Sequence, residues 1–382
     1  MLDRLFTDSY SGNKPWLRRL VNGVDRVRPT EASRRWLSRQ TDDLPTGKVT
    51  SFEGLGLAYA RARSRERRDK AMTDVFTRYG KAFNEAILRH GLGDAAVVWG
   101  FNRAQLELFE AAGREGRRCV LDQTIAPSPV HHALLAAEHA RWPGWQEAPP
   151  TQPDRAVAER ERCEWTAVDR IFCPSEFVRE SVVAAGGPAE KCVLVPYATD
   201  GGRFPPRPTR RPPEGRPLRV LFAGEVGLRK GVPYVLEALR RLGPETAEGR
   251  LVGPIRIDRR NLEAYAEVAT FTGSVPRPEM RAHYAWADLF VFPSVCEGSA
   301  AVLSEALASG LPVICTPNSG PPPCNGGLRT VPAGDVDAIA EAIVAVGQDY
   351  ERAQPPLDPD PPFGLRAYGE RMVQAVTELA PA

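Results

Sequence analysis

A chain of 382 residues exceeds the size at which one hydrophobic core usually stops growing, so two domains are the first expectation. Hydrophobic residues make up 42% and charged residues 26%, a globular composition that excludes a disordered or fibrous chain. A net charge of +2 argues against a protein whose main task is to neutralise a nucleic-acid backbone.

The N-terminal stretch MLDRLFTDSYSGNKPW lacks the apolar core of a signal peptide, and no window approaches a membrane span, so a cytoplasmic protein is expected. Positive charge is nonetheless concentrated early. Lys14, Arg18, Arg19, Arg26, Arg28, Arg34, Arg35 and Arg39 face only Asp25 and Glu31, and a second cluster holds Arg61, Arg63, Arg65, Arg67, Arg68 and Lys70. The bland reading is two solvated helix faces; the sharper one is a surface for anionic lipid, a peripheral membrane contact, or for an anionic acceptor.

Strand-like apolar runs then alternate with amphipathic stretches, the pattern of a parallel sheet covered by helices. In the first half the strands read AAVVWGF (95–101), RCVLDQT (118–124), RIFCPS (170–175) and KCVLVPY (191–197), with helices over 103–114, 131–141, 154–167 and 176–185. The passage GGRFPPRPTRRPPEGRP (201–217) interrupts all periodicity, which places a linker at 206–217 after a first domain of 1–205.

A second doubly wound unit, 218–350, resumes with LRVLFAGE (218–225), RLVGPI (250–255), TFTGSV (270–275), DLFVFPS (288–294) and PVICT (312–316). Its helices are expected over 232–241, 258–267, 277–286, 299–309 and 335–347. A tail, 351–382, contains a helix over 363–378 that packs back on the first domain. The seven cysteines, Cys119, Cys163, Cys173, Cys192, Cys296, Cys315 and Cys324, lack metal-ligand spacing and fall largely in apolar strands, which implies a reducing compartment and no structural zinc.

The stretch from Asp288 to Thr316 carries the most chemistry. A buried strand runs into a loop with Glu297 and Gly298, and Ser299 is a suitable N-cap for the helix that follows. The amides near Ala300, Ala301 and Val302 then form an anion site at the helix tip. Glu305 lies about 9 Å further along the axis, so two acids flank the tip and suit a sugar and a ribose. The alternative makes Glu297 a first-turn acid and Glu305 an exposed helix residue, although Leu303, Ala306 and Leu307 around Glu305 speak against full solvation. In FAGEVGLRKGVPY a strand ends at Gly224, and Arg229 and Lys230 stand before Gly231 and a new helix, a forked donor and a point charge suited to a diphosphate. A solvated basic pair is the competing reading.

Taken together, G-E-V-G-L-R-K-G, F-T-G-S-V, A-D-L-F-V-F-P-S and E-G-S-A-A-V-L-S-E-A-L-A-S-G-L-P-V-I resemble the C-terminal half of glycosyltransferase family 4. The resemblance extends back through A-V-D-R-I-F-C-P-S-E-F-V-R-E-S-V and V-L-V-P-Y-A-T-D, covers mostly 160–345, and is loose over the first 90 residues. It implies two Rossmann-like doubly wound parallel-sheet domains of the GT-B type facing a cleft, and retaining sugar transfer from a nucleotide diphosphate. On the family's pattern, Glu297 lies beside the donor sugar, Glu305 holds the ribose hydroxyls, Arg229 and Lys230 neutralise the diphosphate, and the backbone at Val275 contacts the base. Gly12 and Asn13 match the N-terminal glycine loop near the phosphates. Three departures stand out: Glu225 follows Gly224 where many members have Arg, Ser299 and Ala300 replace Phe and Gly, and Asp122 stands where a histidine is common.

The resemblance thus implies a hexosyl transfer that needs no divalent metal, because Arg229, Lys230 and the helix-tip amides stabilise the leaving diphosphate. Asp122 is the candidate for the acceptor proton, with His131 and His132 as neighbouring alternatives; His283 is read as a structural helix residue. A nucleotide-sugar epimerase on the same scaffold and a non-catalytic sugar-nucleotide-binding protein are the rival readings.

Overall fold

The structure, a computed structural model, describes residues 2–12, 14–27, 33, 36, 37, 39, 44–65, 69–147, 154–204, 215–356, 358 and 360–379. Asn13, the basic residues Arg28, Arg34, Arg35, Arg67 and Arg68, and 206–214 of the linker passage lie outside them.

The chain divides into two compact units, one of residues up to Leu121 with Cys163–Asp169, the other of Asp122–Arg162 with Arg170–Leu379. The second unit therefore takes residues from both sides of the 206–217 passage. In the first unit β1 (Leu5–Thr7) pairs in parallel with β2 (Val49–Ser51), Phe6 opposite Thr50. Helices α1 (Pro15–Val27), α2 (Glu53–Arg65) and α3 (Asp69–His90) precede β3 (Val97–Phe101), α4 (Leu106–Arg114) and β4 (Arg118–Asp122). Asn84 on α3 is buried and donates to the Ala104 carbonyl at 2.9 Å and to Glu107 at 2.8 Å, fixing α3 to the start of α4.

The second unit continues with α5 (Ser128–Arg141), α6 (Arg155–Ala167), which ends among first-unit residues, β5 (Arg170–Cys173), α7 (Glu176–Ala184) and β6 (Cys192–Leu194). Strands β5 and β6 are parallel, Ile171 beside Cys192. Ser175 caps α7 by accepting from the Val178 amide.

From residue 218 the order is β7 (Leu218–Ala223), α8 (Val232–Leu242), β8 (Ala247–Val252), α9 (Arg259–Glu263), β9 (Ala269–Gly273), α10 (Met280–Trp286), β10 (Leu289–Phe292), α11 (Ala301–Ala308), β11 (Val313–Cys315), β12 (Leu328–Thr330), α12 (Val336–Gln348), α13 (Tyr350–Ala353) and α14 (Leu365–Thr377). The six strands form one parallel sheet in the order β12-β11-β10-β7-β8-β9. The chain winds outward from β7 through β8 to β9, then returns to the other side of β7 as β10. Such a reversal opens a crevice at the carboxyl ends of the two central strands, where ligands of open α/β sheets bind.

The apolar runs form these strands because helices cover both faces: Leu221, Phe222, Phe290, Val291 and Ile314 are buried, and the rings of Phe222 and Phe292 stack 5.5 Å apart between neighbouring strands. The tail touches residues that precede the 206–217 passage: the Thr199 amide donates to the Phe363 carbonyl at 3.0 Å and Arg371 reaches the Pro196 carbonyl at 3.5 Å. No helix among the described residues is long and apolar enough to cross a membrane, and no disulfide joins the described cysteines.

Candidate active site

Past β7 the chain turns through Glu225–Gly227 into a short 3-10 turn, Leu228–Lys230, closed by Gly231. Gly231 has φ +69°, and a Cβ there would stand 1.9 Å from the Pro293 carbonyl oxygen, so only glycine brings this turn against the loop after β10. The two loops are stitched together by the Arg229 carbonyl, which accepts from the Val295 amide at 2.9 Å and the Ser294 hydroxyl at 3.1 Å.

This geometry brings Arg229, Lys230 and Glu297 together at the crevice. One Glu297 oxygen accepts from Arg229 Nη1 at 3.0 Å and contacts Lys230 Nζ; Arg229 also donates to the Cys296 carbonyl at 3.0 Å. Neither cation is a solvated surface charge. Lys230 is 9% exposed and lies over the Phe292 ring, 5.2 Å from its centroid. Its ammonium is pushed down to about 7, by burial first and then by the Arg229 charge. The Glu225 carboxylate and Cys296 work in the opposite direction and favour the charged form.

The helix beyond differs in its first turn from the reading above. Its N-cap is Ala300 instead of Ser299, without a side-chain cap, and the Ala300 amide joins the neighbouring loop by donating to the Ser319 carbonyl at 3.2 Å. The Ala300 amide is thus not an open donor; those of Ala301 and Val302 find no acceptor among the described residues and remain at the tip. Glu305 is buried at 7% exposure, which removes the exposed-residue alternative; it accepts from the Tyr284 hydroxyl at 2.9 Å and pairs with Arg277 at 3.3 Å.

Gly298 seals this loop against the end of β4. Its carbonyl accepts from the Ser175 hydroxyl at 2.7 Å, and a Cβ on it would lie 1.8 Å from the Thr124 carbonyl oxygen. Gly298→Ala is expected to lower stability by roughly 1–3 kcal/mol, the usual cost of overpacking, read as a reduced melting temperature. An unchanged melting temperature would mean that the loop holds no such tight seat.

Two residues before Thr124, Asp122 is buried at 4% exposure and accepts a hydrogen bond from the Tyr197 hydroxyl. Burial pushes its carboxyl up to about 6 against the lowering effect of that bond. His131 and His132 lie half-buried in the first turn of α5. Gly224 ends β7 with its amide on the Val252 carbonyl at 2.9 Å, and the Glu225 carboxylate pairs with Arg256 at 3.3 Å. Val275 follows β9, half-buried against the same core. Gly12 lies in the first unit, where a Cβ would stand 2.6 Å from the Tyr10 ring; Asn13 is not among the described residues. His283, on α10, is half-buried, and burial lowers its imidazole. Among the described residues no group of three or more His, Cys, Asp or Glu side chains is placed to hold a metal ion.

Tyr197, Tyr284, Arg277 and Gln146 also belong to the site and carry no sequence motif. The last accepts from the Leu228 amide at 3.1 Å, 82 positions away. None of these contacts has a local signal, because each partner comes from a distant part of the chain.

Residues 217–349 match the family described as Glycosyl transferases group 1. Over 179 residues the chain is 33% identical to WcaL of Escherichia coli K12, named for colanic acid biosynthesis; the match covers 43% of this chain and 44% of that protein. Over 243 residues it is 29% identical to the GDP-mannose-dependent alpha-(1-6)-phosphatidylinositol monomannoside mannosyltransferase of Mycobacterium tuberculosis, covering 58% of this chain and 62% of that protein. The chain thus spans about half the length of these relatives.

Among solved structures it is similar to sucrose-phosphate synthase from Thermosynechococcus elongatus, with TM-score 0.59 and 19% identity over 82% of this chain and 80% of that one. It is also similar to Anabaena HepE in complex with UDP and glucose, with TM-score 0.54 and 14% identity over 99% and 100%. The fold is therefore the α/β, two-Rossmann-unit fold of the GT-B glycosyltransferases.

Proposed function

We propose that the chain is a retaining glycosyltransferase of family 4, moving a sugar from a nucleotide-diphosphate donor to an acceptor hydroxyl. The observation that carries this reading is the convergence of Arg229, Lys230 and Glu297 at the β7/β10 reversal, beside the open amides of Ala301 and Val302. A diphosphate at that point takes over the cations that Glu297 now holds, and the released carboxylate faces the sugar. As the anomeric carbon–oxygen bond to the diphosphate breaks, negative charge grows on the leaving oxygen, and fixed cations and amides stabilise it. The acceptor oxygen bonds to the same face of the sugar, and its proton passes to Asp122. Glu305 holds the ribose, and Val275 borders the base.

In this reading the cations replace a divalent metal, so activity is expected to survive a chelator. HepE was solved with UDP, whereas the mycobacterial relative is named for GDP-mannose; the base is the first unknown to resolve. A thermal-shift screen of UDP-, GDP- and ADP-sugars identifies the donor, since a ligand of the folded state raises the melting temperature. Product analysis then tests the reaction: nucleotide released only with an acceptor, and an unchanged anomeric configuration, support it. An isomerised donor without acceptor would replace it with an epimerase.

We also propose that the first unit rests on an anionic membrane surface. On α1, Trp16 and Leu20 stand one turn apart at 66% and 60% exposure, beside exposed Arg19 and Arg26, and Arg61, Arg63 and Arg65 are exposed on α2. Lys14 contributes less, because it pairs with Glu53. The protein is expected to sediment with vesicles containing phosphatidylglycerol and not with pure phosphatidylcholine, and Trp16→Ala with Leu20→Ala to abolish this. Equal recovery with both vesicle types would end the membrane reading.

A further inference from the structure

The turn that carries Arg229 and Lys230 is held from two sides, and only one of them is the sheet. The other is the segment Glu138–Gln146 at the end of α5. Glu138 is buried, and both of its carboxylate oxygens lie within reach of the Tyr234 hydroxyl on α8, at 2.6 and 2.8 Å. That hydroxyl accepts in turn from Arg141 Nη1 at 3.0 Å. Trp142 packs edge-on to the Tyr234 ring at 5.7 Å, and Trp145 faces Tyr265 at 6.1 Å. The Trp145 carbonyl accepts from the Asp258 amide at 2.8 Å, and the Gly144 carbonyl from Asn261 Nδ2 at 3.1 Å. At the end of the segment, Gln146 Oε1 accepts from the Leu228 amide at 3.1 Å.

We propose that Glu138–Gln146 is a clasp on the cation-bearing turn, and that Gln146 is a positioning residue for Arg229 and Lys230. The inference rests on the reading of those two cations as the diphosphate site, and deepens it. Leu228 is 1% exposed and opens the turn, so its amide has no water to fall back on; a buried backbone donor must find an acceptor. Gln146 supplies that acceptor, and a Cβ on neighbouring Gly227 would stand only 3.2 Å from the same oxygen. Arg229 and Lys230 follow Leu228 directly, so the phase of the turn set at Leu228 decides where both charges point. Tyr234, Glu138 and Arg141 anchor the clasp at the first turn of α8, directly after the cation-bearing turn, and Gln146 makes its contact within the turn itself.

The test pairs hydrogen exchange of the Gly227–Gly231 amides with calorimetry of inorganic pyrophosphate and UDP, on the full chain. In Gln146→Ala, loss of one hydrogen bond is expected to speed exchange at Leu228 and weaken pyrophosphate binding, each by about tenfold. The melting temperature is expected to stay within about 2 °C of the parent, because Gln146 is not part of the core. Gln146→Glu keeps an acceptor oxygen and is expected to restore the exchange protection. Unchanged exchange in Gln146→Ala overturns the clasp and leaves the site reading standing, and faster exchange with unchanged pyrophosphate affinity overturns the positioning role. A parent protein that binds neither pyrophosphate nor UDP overturns the site reading, and the clasp's role with it.

Discussion

Replacing Lys230 by alanine is expected to lower turnover by about a hundredfold to a thousandfold, the usual cost of losing one preorganised partner of a leaving group's charge, while the protein stays folded. The size follows from burial. Lys230 is buried over Phe292, where water screens it little, so on the proposed mechanism its charge would act on the leaving oxygen in a low dielectric. Arg229 remains in the variant, but it donates to the Cys296 carbonyl and supplies its own contact, so it does not replace the lost ammonium. The stability sign runs the other way. The folded lysine is pushed from 10.5 down to about 7, so folding penalises its charged form; that penalty is full below about 7 and fades between 7 and 10.5. Lys230→Ala removes the penalty, and at pH 6 its melting temperature is expected to equal or exceed the parent's. A variant with parental turnover would remove Lys230 from the site, and one that merely unfolds would show that its role is packing.

What the sequence discloses about this site depends on how local the determining contacts are. From β7 onward each strand is a short apolar run covered on both faces, so Leu218–Ala223 and Leu289–Phe292 are visible as runs and β7 and β10 fall within the expected segments. Arg229, Lys230 and Glu297 lie within a few residues of those strand ends, and the reversal in strand order brings them together. The first residue of α11 is another matter. Ser299, two positions ahead of the first helical residue, looks like a cap, yet the cap is Ala300, whose amide donates to Ser319 in a loop that follows the next strand. Gln146 and Tyr197 act on partners 82 and 75 positions away, and no spacing rule reaches that far. The first 65 residues escape for a simpler reason: β1 and β2 have three residues each, and α2 buries no side chain, so these elements offer too few positions for period two or period 3.6 to show.

Asp122→Asn is expected to cost about a hundredfold to ten-thousandfold in turnover and yet to stabilise the fold at neutral pH, a combination that a purely structural residue would not give. The groups facing Asp122 are Tyr197 through its hydroxyl, Tyr368 from α14, and Cys173 at the end of β5; the Arg371 charge acts in turn on Tyr368. Burial dominates, and the carboxyl rises from 3.8 to about 6. A raised carboxyl means that folding favours the protonated form. Below 3.8 both states are protonated and nothing is lost; the penalty grows between 3.8 and about 6 and is full above, where it amounts to roughly 3 kcal/mol at most. Asparagine cannot ionise, so the variant's advantage in melting temperature should be largest at pH 8 and vanish towards pH 4. On the proposed mechanism activity depends on the opposite state, since only the carboxylate accepts the proton of an attacking hydroxyl. Parental turnover should therefore rise with pH through about 6, and Asp122→Asn should be slow and lack that limb. If the variant is more stable but keeps both the parental rate and the limb, the proton goes elsewhere, and the half-buried His131 and His132 at the start of α5 become the groups to replace next.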